Sequence, residues 1–177
     1  GAQGGRQGQG PGGAARGLGL TGRPRPCGWQ RMTEVMFHVN VPDKVHYACR
    51  LLRKAQASGA RMGVLAPPDV LDALDVELWR FSATDFVAHC RADAPPAMRA
   101  ASPVVLAERG AALDADRVLL HLGRELPDGF ERFARLIELV GADPEDLAQG
   151  RLRWRHYAAH GHSPRRHDVA QPAEHHD

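Results

Sequence analysis

The chain has 177 residues, 23 Lys+Arg against 21 Asp+Glu, a formal charge of +2 and three cysteines. No run approaches the roughly 18 apolar residues of a membrane span, so no membrane role is expected. Cys27, Cys49 and Cys90 are too few, and too far from CxxC spacing, for a disulfide scaffold or a thiolate metal site, and they fit a reducing cytoplasm.

Residues 1–31 hold 11 glycines, five arginines and no acidic residue, with no apolar periodicity. Such a stretch cannot bury enough surface to offset the entropy of ordering, so a disordered leader is expected there, with Met32 directly before the first strand-like run. From Ser163 to Asp177, Ser-Pro, paired arginines and scattered histidines read as a solvated tail. The folded part is expected to be one domain over residues 32–162, with sixteen basic and eighteen acidic residues and a charge near −2. A general nucleic-acid binder carries a basic footprint on its fold, so little direct DNA binding is expected.

Within the domain, strand and helix signals alternate. Val35 to Val39 is a short apolar run, and Pro42-Asp43 opens a helix with Val45, Ala48, Cys49, Leu52 and Ala55 at helical spacing, stopped by Ser58-Gly59. Met62 to Leu65 is a second strand, and Pro67-Pro68-Asp69 opens a helix carrying Leu71, Leu74 and Leu78. Phe86 to His89 is a third strand candidate, with Pro103 to Leu106 and Arg117 to Leu122 after it, the last two apolar enough to be covered on both faces. Phe130, Phe133, Leu136, Ile137 and Val140 predict a helix over about 129–140, and Asp143-Pro144 starts the last one with a cap, a proline at its first position and acids in its first turn. This alternation predicts an α/β protein, a mostly parallel sheet between two helical layers in an α/β/α arrangement.

Catalytic signatures are sparse. There is no G-x-x-x-x-G-K-[ST] loop, and the first strand runs into Asn40-Val41-Pro42-Asp43-Lys44 without a glycine to approach a phosphate. No G-x-S-x-G elbow is present. His156 and His160 are spaced i, i+4, but no carboxylate or thiolate follows at zinc spacing, so no metal or cofactor is expected.

The last helix carries the most distinctive surface. At about 100° per residue, Arg155 sits one turn above Arg151 and Trp154 flanks both, so two cations border one flat apolar ring. Arg153 falls about 200° from Arg151 and is left out of the group. A guanidinium clamps a carboxylate with two parallel hydrogen bonds, and an indole offers rigid contact area beside it, which suits an acidic peptide bearing an aromatic side chain. The plainer alternative puts Trp154 in the core and the arginines on a solvated helix face.

The segment Leu74-Asp75-Val76-Glu77-Leu78-Trp79, then Phe86-Val87-Ala88-His89, and the closing Arg151 to Gly161 stretch together resemble the chi subunit of bacterial DNA polymerase III holoenzyme, from about Thr33 to Gly161. The resemblance implies a Rossmann-like α/β fold without a phosphate-binding loop. It also implies a replisome adaptor with no catalytic residues of its own, acting between the clamp loader and single-stranded DNA-binding protein, whose acidic C-terminal tip ends in Pro-Phe. Carried over by position, the tip site comprises Arg151, Trp154 and Arg155, with Val140 at the end of the preceding helix as an apolar wall. Trp154 stands where many members have tyrosine and Arg155 where many have lysine. Trp79 and Phe86 fall on the surface that the resemblance assigns to the psi subunit or clamp loader, although a Trp closing a helix and a Phe opening a strand are more often packed than exposed. His89 reads as a structural hydrogen-bonding residue. The competing function is a small cytoplasmic nucleotide-dependent enzyme of the same fold class, which the missing phosphate loop disfavours.

Overall fold

The structure is a computed structural model that describes residues 32–80 and 86–170. Its elements run β1 (Glu34–Val41), α1 (Lys44–Ala57), β2 (Met62–Leu65), α2 (Pro68–Arg80), β3 (His89–Arg91), α3 (Pro96–Ala101), β4 (Val104–Ala107), β5 (Val118–His121), β6 (Arg135–Gly141), α4 (Pro144–Ala159) and β7 (Arg165–Asp168). The expected leader, and the tail after residue 170, lie outside the described residues.

Local chemistry sets the helix starts. The Asp43 carboxylate accepts from His46 N–H at 2.9 Å to cap α1, and Asp143 does the same for Asp146 N–H at the start of α4. After α1 the chain leaves through Gly59 at φ +76°, a left-handed turn residue that glycine adopts without a Cβ clash.

The strands form one seven-stranded sheet in the order β3-β4-β2-β5-β6-β1-β7, every pair parallel. Side chains alternate across it. Val64, Leu106, Leu120 and Leu139 face α1 and α2, where Leu52, Leu71, Leu74 and Leu78 meet them. Phe37, Leu119, Leu136 and Val140 face the opposite way, toward α4 and its Tyr157. The result is a three-layer α/β/α protein with a core on each side of the sheet. Cys49 and Cys90 are buried free thiols, and burial pushes the Cys49 thiol up to about 12, so it behaves as a small apolar side chain.

Three expectations are corrected. The helix expected over 129–140 is a short 3₁₀ turn, Phe130–Arg132, followed by strand β6. Leu136, Ile137 and Val140 fit a helical spacing because a strand covered on both faces is apolar at nearly every position, and Phe130 and Phe133 extend that spacing from the turn before it, so periodicity alone cannot separate helix from strand. The strand expected at Phe86 to His89 begins only at His89, and Phe86 stands outside it. The stretch from Ser163 is more than a tail: Arg165–Asp168 forms β7, paired with β1 from Met36↔Arg165 to Val39↔Asp168. An edge strand made of Arg-Arg-His-Asp has no apolar signature, because its open edge is kept charged.

Candidate functional site

The start of α4 is tied to the sheet by Asp146, whose carboxylate is buried, accepts from Gly141 N–H and pairs with Lys44 Nζ at 2.8 Å. One turn further on, Gly150 lets the helix approach β6 closely. This contact fixes how α4 lies across the ends of β6 and β1.

Between them is a cavity of about 340 Å³. Phe37 and Val39 of β1, Val140 of β6 and Leu147 of α4 supply its apolar walls, Trp154 and Arg151 enter from α4, and Arg166 enters from β7. Trp154 is half-buried, with its ring centroid 5.1 Å from that of Phe37. Its indole is therefore both a packed residue and a cavity wall, so the core and surface expectations each hold in part. No carboxylate lines this cavity among the described residues.

Of the four residues expected at this surface, the structure brings Arg151, Trp154 and Val140 together. Val140 does so from strand β6, not from a helix. Arg155 is exposed and does not line the cavity; its Nε donates to the Arg151 carbonyl at 3.4 Å. Arg166, which sequence reasoning placed in a tail, does line it.

Beneath this surface lies a polar cluster that sequence reasoning missed. Glu138 of β6 is fully buried and accepts from His121 Nδ1 at 2.9 Å, Arg153 Nε at 3.0 Å and the Tyr157 hydroxyl. Arg153, set aside on the helical wheel, is buried here and also donates to the Arg124 carbonyl at 2.6 Å. Burial by itself would raise the Glu138 pKa, but the charges and hydrogen bonds of His121, Arg153 and Tyr157 hold it below the usual carboxylate value. The available signal was a lone acid inside the apolar run Leu136-Ile137-Glu138-Leu139-Val140, since a buried charge requires partners. This cluster locks α4 to β5 and β6 and so holds Trp154 in place.

On the other face of the sheet, Trp79 at the end of α2 is 63% exposed and Phe86 is 47% exposed, with ring centroids 4.7 Å apart. These aromatics are therefore not core, contrary to the packed alternative. His89 supports them from below, held by the Val87 carbonyl at 2.7 Å and Asp75 Oδ1 at 2.9 Å, a hydrogen-bonding role as expected. Gln56 of α1 fixes the segment, donating to the Phe86 carbonyl and accepting from Ala88 N–H.

Among the described residues no group of three or more His, Cys, Asp or Glu could hold a metal ion, and no helix is long and apolar enough to cross a membrane. His156 and His160 stack with centroids 4.1 Å apart, and His160 Nδ1 donates to the His156 carbonyl.

A family model described as DNA polymerase III chi subunit, HolC, matches residues 32–165. The chain belongs to the chi subunit family. A search against curated proteins returned no match. Chi membership makes the protein an accessory subunit of DNA polymerase III with a part in DNA replication. The chi match begins at Met32 and ends one residue short of Arg166, so it takes in α4 and both aromatic surfaces.

Proposed function

We propose that this chi-family protein is a cytoplasmic, non-catalytic adaptor that binds the acidic C-terminal tip of single-stranded DNA-binding protein in the cavity beside α4. One observation carries the reading: an apolar cavity walled by Trp154 and Val140 with Arg151 at its edge and no carboxylate in its lining. An aromatic side chain fits the apolar walls, and the guanidinium takes the carboxylates around it. Arg155, one turn along α4, adds charge outside the cavity. The Trp79–Phe86 pair is the second contact, facing the psi subunit or the clamp loader. Exposed paired aromatics of this kind are what interface hot spots are built from.

The nucleotide-dependent enzyme is the weaker reading. The α1 N-terminus, where a phosphate would sit in that fold class, is already capped by the Asp43 carboxylate.

Titration with a synthetic peptide of several aspartates ending in Pro-Phe tests the proposal. Saturable binding with a raised melting temperature is expected, and no shift with nucleotides. A nucleotide-induced shift without peptide binding would reverse the choice.

A further inference from the structure

The cavity beside α4 has cations on two of its elements, and only one of them is on the helix. Arg166 pairs in register with Phe37 across β1 and β7, so its side chain emerges on the α4 face of the sheet and reaches the cavity that Phe37 and Arg151 also line. Its position is built. Arg166 Nη2 donates to Asp168 Oδ2 at 2.7 Å, and Asp168 in turn accepts from Asn40 Nδ2 at 2.9 Å on each oxygen. Asn40 has φ +59°, a left-handed conformation that Asn tolerates better than most residues, at the point where the β1 register shifts. The kink in β1 thus aims the amide that holds Asp168, and Asp168 orients the guanidinium.

We infer that β7 is part of the peptide site, with Arg166 a second carboxylate-binding residue that faces Arg151 across the apolar walls. This rests on reading the cavity as a peptide site. The charge argument is specific: an acidic peptide whose apolar end occupies the cavity has carboxylates on either side of that end, and the two guanidinium groups approach from separate elements. The Asp168 pairing leaves the remaining guanidinium N–H donors of Arg166 for a ligand. At 60% side-chain exposure it gives up little hydration on contact.

The test uses the full chain and the same aspartate peptide ending in Pro-Phe with a free carboxylate. Arg166→Gln, which keeps most of the side-chain length, should weaken binding about five- to tenfold at low salt, and the loss should shrink as salt is added. Arg166→Lys should recover part of the affinity. Wild-type affinity in Arg166→Gln, while Arg151→Ala weakens the peptide, would overturn this inference and leave the peptide site standing. Equal weakening in the Gln and Lys variants with a lowered melting temperature would also overturn it, because Arg166 would then act only by holding β7 to β1. Absence of peptide binding by the unaltered chain would overturn the reading of the cavity itself, and this inference with it.

Discussion

Gly150 and Val140 are in such close contact that a Cβ on the glycine would lie 3.0 Å from both Val140 methyl carbons. Val140 is a buried strand residue with little room to move, so α4 would have to lift. Gly150→Ala should cost about 1–3 kcal/mol of stability, the usual penalty for overpacking, offset in part by alanine's better helix propensity. Because the same contact sets the cavity depth, peptide affinity should fall as well. Urea denaturation and peptide titration of the one variant measure both.

Arg151 and Arg155 should separate. Arg151→Ala removes a guanidinium that lines the cavity and should weaken the acidic peptide by about 1.5–3 kcal/mol, the range for a hydrogen bond to a charged group. Arg155→Ala removes an exposed charge outside it and should cost about 0.2–1 kcal/mol. Isothermal titration of the two variants side by side checks the order; a larger loss for Arg155 would move the site up the helix.

Glu138 should be a stability residue with an acid signature. Glu138→Ala leaves Arg153 buried without its carboxylate and should cost about 3–5 kcal/mol. Tyr157→Phe removes one donor to the same carboxylate and should cost about 1–3 kcal/mol. The folded-state pKa of Glu138 lies below its unfolded value near 4.5, so its contribution is complete above that value and is lost as the pH falls through the lower folded value. Denaturant melts between pH 3 and 7 should show a steeper acid loss for the unaltered protein than for Glu138→Gln.

His38 should act in a higher window. Burial, with His167 of β7 and Arg135 of β6 nearby, lowers its pKa from 6.5 to about 4, and its Nδ1 pairs with the Tyr47 hydroxyl of α1 at 2.8 Å. Between those values the unfolded chain binds a proton that the folded chain does not. Stability should therefore rise with pH from about 4 to 6.5 and level off above. His38→Gln should flatten that part of the pH profile, read from urea midpoints at half-unit steps.

Trp79→Glu should leave the domain folded. The ring is mostly exposed, and what is lost is its contact with Phe86 and the edge contact with His89, about 0.5–1.5 kcal/mol for each aromatic pair. Clamp-loader association should disappear while tip-peptide affinity changes by no more than about 0.5 kcal/mol, since α2 and α4 cover opposite faces of the sheet. Co-purification with clamp-loader subunits and peptide titration give the two readings.

Much of this architecture was legible in the residues. Caps at Asp43 and Asp143, the Ser58-Gly59 stop and the two-sided apolar runs at β4 and β5 are local signals, and the local structure obeys them. The apolar spacing over 129–140 fits two periods, and what decides for a strand is its register beside β1 and β5, which is not local. Arg151, Trp154 and Val140 could be grouped from a helical wheel and a resemblance. Arg166 could not, because only pairing with β1 turns Arg-Arg-His-Asp into a strand. Arg153 shows the limit of the wheel itself: pointing away from Arg151 meant pointing at Glu138.

The place of β1 in the sheet has a consequence for how the protein becomes itself. Its neighbours are β6 and β7, so Glu34 waits about a hundred residues for Arg135, and Phe37 waits longer still for Arg166. Both pairings of β1 are thus non-local, unlike the β5–β6 pairing beside them, and their closure entropy is lost before any contact compensates it, a route to slow folding. During synthesis, Val35 and Phe37 leave the ribosome as an unpaired apolar strand, the kind of segment that chaperones hold. The cavity takes its lining from β1, β6, α4 and β7, so it is complete only once the last strand has joined the first, and a ligand held there would report that closure.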